Sequence, residues 1–168
     1  MQRLLGAVLA VVLGLGGAAV AQTPPKHFKN EWALGYYDAD NQPTTALGAA
    51  EIVAFVRGPR DIVLEIGCRP VGEGLFYRLG SRGEKKDFAG PSLQPRVTVR
   101  DAGKVRFQRQ LIEVNLRPRG FYQGPVIPVF QRSLQLGDRI VFQSQEDDFF
   151  ATFSLIGSND AINSLPCS

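Results

Sequence analysis

The sequence predicts a mainly β protein, an antiparallel β-sandwich or flattened barrel with a short C-terminal helix. Three observations carry this. About eight short runs alternate apolar and polar residues with the period of two that a half-buried strand requires. Gly, Pro, Asn and Asp punctuate the intervals between them at close spacing. After Gly157 the period changes, and Ser158-Asn-Asp-Ala-Ile-Asn-Ser-Leu165 reads as a helix leading into Pro166-Cys167.

In chain order, Trp32, Leu34 and Tyr36 alternate with Ala33, Gly35 and Tyr37 as a first strand. Asp38 to Pro43 is a turn; its acidic spacing lacks the glycine and the terminal glutamate of a calcium loop. Ala49–Val56 and Asp61–Arg69 flank Arg57-Gly-Pro-Arg60 and form a hairpin, with Cys68 on the same face as Leu64 and Ile66. Gly74–Leu79 is a further strand, and Ser81–Pro95, with Lys85-Lys86 at its tip, is a polar loop. Val97, Val99, Val105 and Phe107 predict a hairpin closed by a three-residue loop, Asp101-Ala102-Gly103. That register pairs Val99 with Val105 and Val97 with Phe107, with Gly103 at the position wanting positive φ. It also places Arg96, Arg100, Lys104 and Arg106 on the opposite face as one basic stripe. The alternation slips after Gln108, so a bulge or break is expected near Arg109–Leu111. Arg117-Pro-Arg-Gly120 is a turn, and Val129, Phe130 and Leu134 predict a short helix over Pro128–Leu136. Arg139–Ser144 and Phe149–Ile156 make the last hairpin, with Ile140 opposite Phe153 and Phe142 opposite Ala151.

The N-terminus predicts export. Arg3, the apolar Leu4–Ala19 and Ala19-Val20-Ala21 have the form of a cleaved secretory signal peptide over residues 1–21. The apolar run is short for a membrane span and holds Gly6, Gly14, Gly16 and Gly17, so an integral membrane protein is not expected. Residues 22–30 then form a flexible leader carrying the lone His27, and residues 31–168 a single domain with a core of its own. A periplasmic setting permits disulfides, so Cys68 and Cys167 are candidates for a bond closing a loop of about 100 residues. Two unpaired buried thiols are the alternative. A metal site would need more ligands than these. Net charge is +3 with the leader included, and Arg3 leaves with it. This is too little to suggest nucleic acid.

One ordered set of residues is similar to a known family. Ile62-Val-Leu-Glu-Ile-Gly-Cys68, Val129-Phe130 with Leu134, Ala151-Thr-Phe-Ser-Leu-Ile-Gly157, Ala161-Ile162, Leu165 and Cys167 resemble the small exported VasI-like proteins associated with type VI secretion. The family's mid-chain Trp-x-x-Ser is replaced here by Val105-Arg-Phe-Gln108. The Phe-x-Leu-x-Gly…Ala-Ile stretch is also similar to the invasion-associated locus B group, which carries further cysteines. The resemblance implies a periplasmic accessory protein whose partner is another envelope protein, in association with a secretion apparatus.

No catalytic apparatus is expected. Neither G-x-S-x-G nor H-E-x-x-H occurs, and Glu65, Glu113 and Asp138 show no spacing that singles them out for acid–base work. No cofactor or metal is expected either. The functional expectations are a non-enzymatic exported interaction protein, or a binder of anionic envelope glycan or lipid through Arg96, Arg100, Lys104 and Arg106.

Overall fold

The structure, a computed structural model, describes residues 31–40, 42–59, 62–68, 74–81, 95–110, 121–144 and 149–167. The predicted signal peptide and leader, the Arg117–Gly120 turn, the Lys85-Lys86 tip and the expected slip beyond Gln110 lie outside these residues. The elements are β1 (Ala33–Tyr37), β2 (Glu51–Arg57), β3 (Ile62–Cys68), β4 (Leu75–Ser81), β5 (Arg96–Asp101), β6 (Lys104–Gln110), β7 (Phe121–Pro125), α1 (Pro128–Leu136), β8 (Arg139–Ser144), β9 (Phe149–Ser154) and α2 (Ser158–Asn163).

The strands form two antiparallel sheets. One has the order β1-β2-β3-β4-β7 and the other β6-β5-β8-β9. Their inner faces share one core, as the apolar alternation requires: Ala54, Val56, Leu64, Ile66 and Leu79 from the first sheet, and Val97, Val99, Ile140, Phe142 and Phe153 from the second. At one corner the Trp32 indole, fully buried just before β1, donates to the Ser154 carbonyl at the end of β9 (3.0 Å). A buried indole N–H needs such a partner, and this one joins the two sheets.

On the opposite side α1 closes the sandwich. Pro128 occupies its first turn, where a missing N–H costs nothing. Phe130 points inward, stacks on Phe107 of β6 at 4.8 Å and meets Tyr77 of β4 edge-on at 6.0 Å. α2 packs beside α1. The buried Ser158 hydroxyl donates to the Leu134 carbonyl (2.7 Å), and Gln135 Nε2 donates to Asn163 (2.8 Å). The last hairpin has the expected register, Ile140 with Phe153 and Phe142 with Ala151.

The β5–β6 hairpin departs from the expected register. Its turn has two residues, Ala102 and Gly103, both at positive φ (48° and 80°), and it pairs Asp101 with Lys104 and Arg100 with Val105. This is the backbone of a hairpin turn whose twist matches that of the strands. The Asp138 carboxylate accepts the Ala102 N–H (2.8 Å) and supports a conformation uncommon for a non-glycine residue. A register shift between Val99 and Arg100 then restores the buried phase by leaving Arg106 as the extra residue. Val99 faces Phe107 and Val97 faces Arg109.

The first sheet also buries its outer face along β3. Phe76 lies over Gly67, where a Cβ would stand 2.4 Å from the ring, and joins Tyr37 and Val53 in a second apolar cluster. Beside it, Glu65 and Arg78 are direct cross-strand partners, and both are buried. Arg78 ion-pairs with Glu51 and lies 3.5 Å from Glu65, with its guanidinium over the Phe76 ring. Burial pushes the Glu65 carboxyl up to about 7; Arg78 opposes that rise and Glu51 adds to it.

The folded protein thus holds the Glu65 proton more tightly than the unfolded chain does. Stability is fully present below the ordinary carboxylate pKa and is lost as pH rises through about 7. The loss is on the order of 1–3 kcal/mol. In urea titrations across this window, Glu65→Gln should flatten the fall. An unchanged slope in the variant would show that Glu65 does not titrate there.

Candidate functional site

The outer face of the second sheet is built by alternation. In β5, Val97 and Val99 point into the core, so Arg96, Thr98 and Arg100 point away. In β8, Ile140 and Phe142 are buried, which turns Arg139, Val141 and Gln143 outward. The β5–β8 register sets Arg100 directly opposite Arg139, Thr98 opposite Val141 and Arg96 opposite Gln143. β9 continues the face with Phe150, Thr152 and Ser154, and β6 contributes Gln108, whose amide donates to the Thr98 hydroxyl (3.2 Å).

Arg96, Arg100 and Arg139 are exposed there, and no described strand position on this face is Asp or Glu. Arg100 also donates to the Gly103 carbonyl (3.1 Å), which fixes the direction of its guanidinium. Like charges placed directly opposite on a sheet oppose strand pairing by a few tenths of a kcal/mol up to about 1 kcal/mol. An anion between Arg100 and Arg139 would turn that repulsion into attraction.

The expected four-residue stripe is therefore corrected. Arg96 and Arg100 share the outer face, but the two-residue turn and the bulge take Lys104 and Arg106 out of line with them. Lys104 stands opposite Asp101, and Arg106 ion-pairs with Asp101. Both residues instead line a cleft against α1. Arg139 was missed because its place beside Arg100 depends on β8 pairing with β5, across two strands and a helix. The only signal was its position as the first residue of a strand whose second residue is apolar.

Cys68 and Cys167 do come together. Cys68 ends β3 facing the core, and Cys167 packs against the same core just beyond α2. Both are free thiols, Cys68 buried and Cys167 partly exposed. Burial, followed by hydrogen bonding with Cys167, pushes the Cys68 thiol up to about 12. Cys167 is the accessible sulfur and the better candidate to react first. Among the described residues, no group of three or more His, Cys, Asp or Glu is placed to hold a metal, and no helix is long and apolar enough to cross a membrane.

On exposure to oxidised glutathione, the Cys167 thiolate should attack the disulfide and release one reduced glutathione. Cys68 should then displace the second, giving a Cys68–Cys167 bond with both electrons passed to glutathione. The closed bond should add roughly 2–5 kcal/mol to unfolding stability. Cys68→Ser, Cys167→Ser and the double variant should each lose that increment, and the double variant no more than either single. Peptide mapping that finds two free thiols after oxidation would contradict the pairing. Additive losses would show that each cysteine acts through packing alone.

Comparisons with protein-family models, with curated proteins and with solved structures found no match for this chain.

Proposed function

We propose that this is an exported accessory protein of the cell envelope that works by binding, and that its contact surface is the outer face of the β6-β5-β8-β9 sheet, engaging an anionic glycan. The observation that carries the reading is the Arg100–Arg139 cross-strand pair, extended by Arg96, on a face whose described strand positions include no carboxylate. A fold gains nothing from two arginines held side by side, whereas a carboxylate- or sulfate-bearing polymer supplies the missing charge. Gln143, Thr152 and Ser154 stand on the same face and offer an amide and hydroxyls to sugar hydroxyls. The export signal and the resemblance to VasI-like proteins support the envelope setting and an association with a secretion apparatus, where a glycan-bound accessory protein would sit beside a protein partner.

Retention on immobilised heparin, used as a model polyanion, tests the face. The protein should elute at a salt concentration that falls clearly in R96Q/R100Q/R139Q, because several phosphate- or sulfate-like contacts are lost together. Its melting temperature should change little, since all three side chains are exposed. K104Q/R106Q should elute close to the parent. Equal elution of parent and triple variant would refute the assignment.

A further inference from the structure

A second surface has a different chemistry. Between the β5–β6 hairpin and α1 lies an open cleft of about 440 Å³, within the range of small-molecule sites. One wall is a face of α1. Val129, Arg132 and Leu136 recur at helical spacing on the side next to the core-facing Phe130 and Leu134. The other wall comes from the start of β6, where the bulge brings Lys104, Val105 and Arg106 to the cleft.

Two features coincide here. Val105, Val129 and Leu136 are 51%, 56% and 50% exposed, so three of the molecule's exposed large apolar side chains converge on one site. Around them stand Lys104, Arg106 and Arg132. Asp101, also in the lining, ion-pairs with Arg106, while Lys104 and Arg132 have no carboxylate partner among the described residues. Aliphatic surface alone would suit any apolar group, and cations alone would suit any anion. Together they fit a molecule with an aliphatic segment and a single anionic head.

We infer that this cleft binds a single-chain anionic amphiphile, with its alkyl segment against Val105, Val129 and Leu136 and its carboxylate or phosphate head at Lys104 and Arg132. The hydrophobic contribution follows the area withdrawn from water on three half-exposed side chains. The head-group contribution comes from charge-assisted hydrogen bonds with the exposed Lys104 and Arg132. The cleft is independent of the arginine face, because no residue is shared between the two.

Calorimetric titration of the purified protein with dodecanoate and dodecyl phosphate, both below their micelle concentrations, tests the inference. Dodecyl maltoside serves as an uncharged ligand of the same chain length. Saturable one-to-one binding is expected, with the anions favoured by about tenfold or more. K104Q/R132Q should remove most of that preference and leave dodecyl maltoside unaffected. V129S/L136S should weaken all three ligands by about tenfold. These positions are on the surface, so an unchanged melting temperature will separate lost binding from lost folding. R96Q/R100Q/R139Q should bind like the parent, which keeps this outcome distinct from that of the glycan test. Vesicles of phosphatidylglycerol and phosphatidylcholine separate a free amphiphile from a bilayer surface. Binding to the anionic vesicles without binding to the monomeric anions would overturn the inference. Equal affinity for charged and uncharged amphiphiles would also overturn it, as would affinities unchanged in K104Q/R132Q.

Discussion

Phe130 holds the two sheets in their relation. Its ring is buried and touches Phe107 of the second sheet on one side and Tyr77 of the first on the other. Neither sheet could bury its inner face alone, and among the described residues no strand pairing links them at this edge, so an aromatic side chain carried on a helix closes the gap. The position of α1 then determines much else. It sets the Leu134 carbonyl that receives the buried Ser158 hydroxyl, and so the seat of α2 and the approach of Cys167 to Cys68. It also turns Val129, Arg132 and Leu136 toward the β5–β6 hairpin. The Trp32–Ser154 hydrogen bond makes the corresponding closure at the other corner.

Much of this was legible because burial is local in its demands. The alternations that end at Cys68 and run through Ile140–Phe142 and Ala151–Phe153 could have only one phase against a core, and the observed registers follow it. The α1 span followed from Pro128, the apolar spacing and Gly137. The β5–β6 register was harder to read for a physical reason. Val105 and Phe107 share a phase, so a three-residue loop satisfies both, whereas the protein adopts the tighter turn and inserts a bulge at Arg106. Val105 is left half-exposed, and only Phe107 reaches the core cluster. Nothing in the alternation distinguishes these solutions; the Asp138–Ala102 hydrogen bond, formed across 36 positions, favours the one observed.

The candidate sites depended on the same distinction. Cys68 and Cys167 were readable because each is anchored by apolar neighbours whose direction is fixed. Arg96 and Arg100 were readable from the alternation of β5. Arg139 was not, because a cross-strand neighbour in a non-sequential sheet order is visible only once the order is known. Glu65 was hidden for a similar reason. Its run, Ile62-Val-Leu-Glu-Ile-Gly-Cys68, looks like a strand with one solvent-facing carboxylate. In the fold the outer face of β3 is covered as well, and Arg78 and Glu51 come from the strands on either side. The two groups of cations differ accordingly. One lies on an open sheet face, and the other surrounds aliphatic side chains in a cleft, so they favour different anions.

The central question is whether the open sheet face is the binding surface. Arginine side-chain Nε–Hε resonances, followed by two-dimensional NMR while a heparin oligosaccharide is added, report on each guanidinium separately. Progressive shifts of Arg96, Arg100 and Arg139, with the buried Arg78 unchanged, are the result predicted. Shifts confined to Arg106 and Arg132, or no arginine shift at saturating oligosaccharide, would contradict it.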